Sequence, residues 1–182
     1  MIRTVLGVLF CTVFAAAVAA EDYSMSAEEA FQAASDPEGD VLFVDVRDPI
    51  EIMFIGWTDV VDINIPFLLV QRDAWNEERG SFPMPRNPKF ADEIGQALTS
   101  LGMGRDATII TMCRSGSARG GASAEALRDA GFPNAYYVRH GFQGDRISEG
   151  ERAGMRLKNG WQNEGLPWQP RFNPDKIYRP SS

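Results

Sequence analysis

A cysteine and two arginines lie close together in residues 108–132. Cys113 is followed directly by Arg114 and, six residues along, by Arg119, with Gly116 between them. An apolar run typical of a buried strand precedes the cysteine, and a small-residue run typical of a helix follows it. Backbone amides at a helix start have no intrahelical partners, and together with guanidinium groups they favour a thiolate over a thiol. The pattern predicts a nucleophilic cysteine in an anion-binding loop.

The first twenty residues have the composition of a secretory signal. Arg3 supplies a positive start, an apolar run follows over residues 5–18, and small residues precede an acidic pair. The apolar run is shorter than the about 20 residues that a membrane anchor needs. Phe10 stands before Cys11, where a lipoprotein would carry a small residue. We therefore expect a signal peptide over residues 1–20, cleavage near Ala20 and export to the periplasm.

Removal of that signal leaves an acidic chain with one thiol. The net charge moves from −7 to about −8, because Arg3 is lost and no acidic residue is. We expect such a chain to bind neither nucleic acid nor anionic membrane surfaces, and no stable membrane anchor remains. Cys113 becomes the only cysteine, so it has no internal disulfide partner.

Other kinds of site are poorly supported by these residues. An inert core thiol is the main alternative for Cys113, but core cysteines are seldom followed by a polar, arginine-bearing turn. His140 is the only histidine, and a lone histidine is more often structural than catalytic. One histidine does not supply a zinc site or a protease triad, and no phosphate-binding or dinucleotide glycine motif is present. We expect no metal and no organic cofactor.

Strands and helices alternate along residues 24–170, which we predict to form one domain. The predicted strands span residues 41–46, 60–66, 107–112 and 135–138. The predicted helices span residues 27–34, a short stretch from 49, 87–98, 117–130 and a short turn of helix around 161–164. The alternation predicts an α/β fold in which a mostly parallel central sheet has helices on both faces. Cys113 then lies at the C-terminal edge of the sheet, where ligands bind in such folds.

Two stretches fall outside this alternation. Residues 67–89 contain three prolines and are long for a connection in a compact domain. We expect Trp75, in this insertion, to pack in the core or within the loop, with a wall over the site as the alternative. Residues 171–182 are predicted to form a loose C-terminal tail.

Four segments resemble a single-domain rhodanese. They are FVDVRDPIE (43–51), DINIP (62–66), CRSGSARGGASAEALRDAGF (113–132) and YYVRHGFQGD (136–145). The segments occur in the order of the family over about residues 26–145, and NGWQNEGLPW (159–168) is similar to the closing segment of many such domains. The resemblance implies the rhodanese-like three-layer fold.

The resemblance also implies a sulfurtransferase. A small sulfur-containing anion such as thiosulfate would give its sulfane sulfur to Cys113, and a thiol or protein acceptor would take it from the persulfide. With no second thiol in the mature chain, the sulfur must leave to another molecule. Asp45 and Arg47 match the family's Asp-x-Arg and would support the loop, although a local salt bridge explains them equally well. The substrate-binding loop would consist of Arg114, Ser115, Gly116, Ser117, Ala118 and Arg119.

The length of this loop leaves alternatives open. The familiar bacterial loop has its second arginine five residues after the cysteine, whereas Ala118 moves Arg119 to the sixth position. That seven-residue spacing occurs in rhodanese-like phosphatases and some arsenate reductases. Met112 replaces the histidine that usually precedes the cysteine in phosphatases, which favours sulfur chemistry. A non-catalytic periplasmic sulfur carrier is a third hypothesis.

Overall fold

The computed structural model describes residues 23–179. The predicted signal peptide, residues 1–20, therefore lies outside the described residues. Within residues 23–179, five strands and four helices follow one another along the chain. They are β1 (Ser24–Met25), α1 (Ala27–Ser35), β2 (Val41–Asp45), α2 (Pro49–Ile55), β3 (Ile63–Asn64), α3 (Phe90–Ser100), β4 (Thr108–Met112), α4 (Gly120–Asp129) and β5 (Ala135–Val138).

All five strands belong to one parallel sheet in the order β1-β5-β4-β2-β3. This sheet confirms the predicted α/β fold class. Asp45, the last residue of β2, pairs with Met112 of β4 and with Asn64 of β3. The three strands thus end at the same level, and the residues that follow them come together at one edge.

The sheet separates two hydrophobic cores. Leu42 of β2 packs towards α3 and α4, while its neighbour Phe43 faces the side covered by α1 and α2. This alternation follows from the two-residue repeat of a strand, and both faces of β2 and β4 are buried. Helices therefore cover both faces, which confirms the three-layer arrangement.

Two helices begin with reciprocal side-chain caps. Ser26 and Glu29 form the capping box expected at α1, with hydrogen bonds of 3.1 and 2.7 Å. Asp48 and Glu51 form a second one at α2, where Pro49 occupies the first turn. Because the box fixes the start of α2 directly after β2, it also fixes where the Glu51 carboxylate lies.

Several predicted element boundaries were wrong, including the start of α3, which is Phe90 and not residue 87. The second strand was expected over residues 60–66, but Val61 donates to Thr58 O in a turn, and β3 contains two residues only. The helix after the cysteine was expected from Ser117, yet α4 begins at Gly120. The residues before Gly120 form a wide turn around the cysteine and cannot join the helix.

The short helix expected around residues 161–164 is a turn. The amides of Asn163 and Glu164 both donate to Gly160 O at 3.0 Å. Gly160 and Gly165 flank this turn in left-handed conformations, with φ of 86° and 79°. Those conformations stop a helix from extending in either direction. The two-residue strand β1 was also missed, because two residues carry no period for a pattern to detect.

The insertion, residues 67–89, is a long hairpin-like loop. Antiparallel bridges join Leu68 with Arg86 and Asn76 with Ser81. Trp75 stacks edge-on against Phe82 with ring centroids 5.3 Å apart, and it remains 52% exposed. Trp75 thus packs within the loop, as expected.

The described part of the C-terminal segment is held against the sheet edge. Lys176 O accepts a hydrogen bond of 2.8 Å from Asn64 N, and Lys176 Nζ donates to Asp59 O and Val61 O at 2.8 Å. The Tyr178 hydroxyl lies 3.1 Å from Glu93 Oε1. Residues 171–179 are therefore anchored, in contrast to the predicted loose tail, because they complete the edge beside β3. None of the helices within residues 23–179 is long and apolar enough to cross a membrane.

Candidate active site

Cys113 lies at the C-terminal end of β4, as the sequence predicts. The residue is only 1% exposed, and its Sγ accepts a hydrogen bond from the Gly116 amide at 3.2 Å. Gly116 reaches this position with φ of 69°. A Cβ atom there would lie 2.4 Å from the backbone nitrogen of His140, so a side chain has no room. The glycine lets the loop curl back onto the sulfur.

The segment after β5 forms backbone hydrogen bonds with the start of the loop. Phe142 N donates to Cys113 O and Gln143 N donates to Arg114 O, both at 2.8 Å. Gly141 has a φ of 57°, and a Cβ atom on it would lie 2.2 Å from Cys113 O. Two backbone segments from different parts of the chain are therefore in direct contact, which fixes the course of the loop.

Several loop amides are available to an anion. Within the described residues, the amides of Ser115, Ser117, Ala118 and Arg119 donate to no other protein group. They precede the ten-residue helix α4, whose N-terminal end carries partial positive charge. The Ser115 and Ser117 hydroxyl groups form a hydrogen bond with each other, with their oxygens 2.8 Å apart. Such an array stabilises negative charge on a sulfur or on a departing oxyanion.

Arg119 closes the loop through an ion pair with Glu51. Both terminal nitrogens of Arg119 donate to the two carboxylate oxygens of Glu51, in a bidentate pair that is largely buried. Burial disfavours the charge of Arg119, but the hydrogen bond and charge of Glu51, aided by Cys113, raise its pKa overall. Burial likewise opposes ionisation of Glu51, and its bonds to Arg119 outweigh burial and lower the pKa of Glu51. The pair is thus charged on both sides.

Glu51 is a site residue that sequence reasoning missed. The signal was present in the spacing of Asp48 and Glu51, which matches a capping box, but that motif points only to a helix start. The same Glu51 Oε2 that faces Arg119 also accepts from Asp48 N at 3.2 Å. One carboxylate therefore caps α2 and holds the far end of the Cys113 loop.

Arg114 points away from this pair. Its Nε donates to Gln143 Oε1 at 2.7 Å. Burial, followed by the charge of Arg156, lowers the pKa of Arg114, while Glu51 acts in the opposite direction. The two loop arginines thus differ, since Arg119 is neutralised by a carboxylate and Arg114 is bound to a neutral amide.

Asp45 and Arg47 form a buried ion pair beside the loop. Arg47 Nε lies 3.0 Å from both carboxylate oxygens of Asp45, and both side chains are fully buried. Arg47 also donates to Gly56 O at 3.0 Å and stacks on the Phe142 ring, 4.2 Å from its centroid. Neither side chain forms a hydrogen bond with Cys113 within the described residues. The link to the loop runs through Phe142, whose amide binds Cys113 O.

His140 lies near the loop but turns towards a carboxylate. Its Nδ1 is 3.0 Å from Asp145 Oδ2, and Asn159 Nδ2 donates to the same oxygen at 3.0 Å. The His140 backbone, with φ of 67°, abuts Gly116. No hydrogen bond joins its imidazole to Cys113 in the described part of the chain. Among residues 23–179, no group of three or more His, Cys, Asp or Glu is arranged to hold a metal ion.

The family model of the rhodanese-like domain matches residues 26–146. The chain belongs to the rhodanese-like domain family. A search of curated proteins found no match. Among solved structures, this rhodanese-like chain is similar to Rv0390 from M. tuberculosis, with 25% identity, a TM-score of 0.56 and coverage of 81% of this chain and 97% of that one. A rhodanese-related protein from Thermoplasma volcanium matches with 20% identity, a TM-score of 0.45 and coverage of 81% and 98%.

Family membership places the chain in the sulfurtransferase superfamily. The same family includes phosphatases and members without catalytic activity. The matched range ends at residue 146, so it contains Cys113, its loop, Glu51 and the Asp45–Arg47 pair. Residues 147–179 lie outside the match.

Proposed function

We propose that this rhodanese-like domain is a sulfurtransferase that carries sulfane sulfur on Cys113. The observation that supports it best is the position of the Cys113 sulfur within a loop of free amides, 3.2 Å from the Gly116 nitrogen. Those donors suit an anionic sulfur and an oxyanion leaving group of small size. Arg119 adds positive charge at the far end of the loop, held there by Glu51.

The reaction would proceed in two displacements. The Cys113 thiolate attacks the outer sulfur of a donor such as thiosulfate, and a new S–S bond forms while the donor's S–S bond breaks. Sulfite leaves with the electron pair, and the persulfide anion that remains on Cys113 is stabilised by the loop amides. An acceptor thiolate then attacks the outer sulfur of the persulfide, takes it as a new persulfide, and releases the Cys113 thiolate. No external oxidant or reductant is needed.

Intact-mass spectrometry tests the first displacement. The protein is treated with thiosulfate, freed of excess reagent and compared with the Cys113→Ser variant. We expect a gain of one sulfur atom in the unsubstituted protein, reversed by a reducing thiol, and no gain in the variant. No gain with thiosulfate or with an organic persulfide donor would overturn the proposal. If Cys113 does gain sulfur, a turnover assay separates an enzyme from a sulfur carrier. An enzyme turns over thiosulfate with an added thiol, and a carrier does not.

A phosphatase or arsenate reductase is the second candidate, and one observation favours it. Arg119 stands six residues after Cys113, which is the spacing of rhodanese-like phosphatases and some arsenate reductases. Hydrolysis of an aryl phosphate, or reduction of arsenate with an added thiol, provides the test. Activity that disappears in Cys113→Ser, without sulfur uptake by the same preparation, would select this candidate.

Export is part of the proposal, since the chain begins with the composition of a secretory signal. Fractionation of cells that produce the full chain tests it. A periplasmic product shortened by about twenty residues agrees with export, and an uncut cytoplasmic product contradicts it.

A further inference from the structure

Residues 146–156 form a small hairpin beside the Cys113 loop. Arg146 and Arg156 face each other across an antiparallel bridge. Ile147 N donates to Met155 O and Gly154 N donates to Ile147 O, both at 2.8 Å. Only its first residue falls within the range matched by the family model, which ends at residue 146. The family match therefore says nothing about this hairpin.

A chain of hydrogen bonds connects the hairpin to the loop. Gln143 accepts from Arg114 Nε through its side chain at 2.7 Å and donates its amide to Arg114 O at 2.8 Å. Asn163 Nδ2 donates to Gln143 O at 3.0 Å and to Arg156 O at 3.4 Å. Arg156 also donates to Gly144 O. Arg114 and Arg156 are therefore positioned by the same group of contacts.

Three arginines lie close enough together here to influence one another's charge. Arg114, Arg146 and Arg156 are called the arginine rim below. After burial, the charge of Arg156 is the largest influence that lowers the pKa of Arg114, and Arg119 and Arg146 act in the same direction. Within residues 23–179, none of the three rim residues forms an ion pair. The charges of Glu51 and Asp145 offset part of their mutual repulsion, and a bound anion would offset more of it.

Two buried or partly buried acids near the rim are bound to other groups, and one rim donor has no partner. Glu51 is bound by Arg119, while Asp145 is bound by His140 and Asn159. Arg156 Nε is buried and has no hydrogen-bond partner in the described residues. A buried donor left without a partner costs free energy, and an anionic acceptor at the rim would supply that partner.

We propose that the arginine rim binds an anionic group of the thiol that accepts sulfur from Cys113. This inference rests on the proposed function and adds a substrate class, namely small thiols that carry a carboxylate or sulfonate a few bonds from their sulfur. Thiosulfate is too short for this role, because its oxygens lie only two bonds from the reacting outer sulfur and belong with the loop amides. A longer anionic thiol can place its sulfur at Cys113 and its charge at the rim.

Matched acceptors test the proposal. Sulfur transfer is measured with 2-mercaptoethanesulfonate and with 2-mercaptoethanol, which differ mainly in one negative charge. The readout is the ratio of kcat/KM for the anionic thiol to that for the neutral thiol. We expect the Arg146→Gln/Arg156→Gln variant to lower this ratio about tenfold, because it removes one or two charge-assisted hydrogen bonds to the anionic thiol. The control Arg152→Gln removes an exposed arginine of the same hairpin and should keep the ratio.

Two further measurements keep the test decisive. The Arg146→Lys/Arg156→Lys variant retains charge and should recover part of the selectivity, whereas a merely unfolded hairpin would not. Binding of 2-hydroxyethanesulfonate to Cys113→Ser protein is followed by NMR of the arginine Nε–H signals, so it needs no sulfur transfer. Saturable binding that weakens several-fold in the double glutamine variant supports the rim even if Cys113 takes up no sulfur. Equal selectivity in all variants, or binding that the rim substitutions leave unchanged, would overturn the proposal.

Discussion

Arg119 donates from both terminal nitrogens to the carboxylate of Glu51, which lies 68 residues earlier in the chain. The contact joins the end of the Cys113 loop to the first turn of α2. Because α2 follows β2 and the loop follows β4, the pair also ties together two neighbouring strands at the edge where ligands bind. The position of the second loop arginine is thus set by a residue outside the loop.

Removal of the Glu51 charge should destabilise the protein. Glu51→Gln leaves Arg119 largely buried without its ion-pair partner, so we expect the free energy of unfolding to fall by about 2 kcal/mol. Urea denaturation at pH 7 measures the change. Glu125→Gln, an exposed site on α4, is the control and should lie within about 0.5 kcal/mol of the unsubstituted protein. Equal stability of the two variants would contradict a structural role for the pair.

The same pair predicts a dependence on pH. The pKa of Glu51 is lowered in the folded state from its ordinary value of 4.5. Its contribution to stability is therefore complete above pH 4.5 and is lost as the pH falls through the lowered folded pKa. We expect the stability difference between the unsubstituted protein and Glu51→Gln to shrink below pH 4.5. Urea titrations at several pH values between 3 and 7 measure it, and a difference that stays constant would disprove the assignment.

A side chain at Gly141 should displace the Cys113 loop. Gly141→Ala adds a Cβ within 2.2 Å of Cys113 O to a residue with positive φ, so both overlap and backbone strain act. Gly150→Ala is a matched control, since Gly150 has φ of 81° and open space around it. We expect Gly150→Ala to cost roughly 1 kcal/mol from strain alone and Gly141→Ala to cost about 2 kcal/mol more. Thermal or urea unfolding compares them, and sulfur uptake should fall only in Gly141→Ala.

The Asp45–Arg47 pair should behave as a buried ion pair. Arg47→Met leaves the Asp45 carboxylate buried and unpaired, so we expect a loss of about 3–5 kcal/mol. Replacing both residues in Asp45→Val/Arg47→Met should recover most of that loss, because Arg47 Nη1 has no hydrogen-bond partner and the pair is incompletely satisfied. Urea denaturation of the single and double variants measures the recovery. A double variant as unstable as the single one would show that other contacts of Arg47 dominate.

The C-terminal segment should contribute to stability. A chain that ends at Pro170 loses the hydrogen bonds of Lys176 and Tyr178 and uncovers the edge beside β3. We expect a loss of roughly 2–4 kcal/mol and a greater tendency to aggregate. A chain that ends at Arg179 is the control and should match the full chain. Unfolding and light scattering provide the readouts, and an unchanged chain ending at Pro170 would refute the anchoring role.

Local patterns in the sequence predicted much of the fold. The capping box at Ser26, the apolar runs of β2 and β4, and the small strand β5 each depend on neighbours within a few positions. The parallel sheet followed from their alternation with helices. Cys113 could be placed at its edge for the same reason.

Features that depend on distant contacts were not predictable. Glu51 was recognisable as a helix cap, but its contact with Arg119 depends on β2 and β4 being neighbours in the sheet. The helix α4 begins at Gly120 and not at Ser117 as expected. The preceding residues have adequate helix propensity, but they belong to the loop whose Gly116 amide binds the Cys113 sulfur. The tail looked loose in composition, and only the exposed edge beside β3 explains why Lys176 is fixed there.

Cys113 is only 1% exposed at the base of its loop, and this burial restricts direct access of large molecules to its sulfur. A bulky alkylating reagent or another protein's disulfide cannot bring its reactive atom to Sγ without displacing the loop. The Cys113 thiol is thereby shielded from mixed disulfides with large partners.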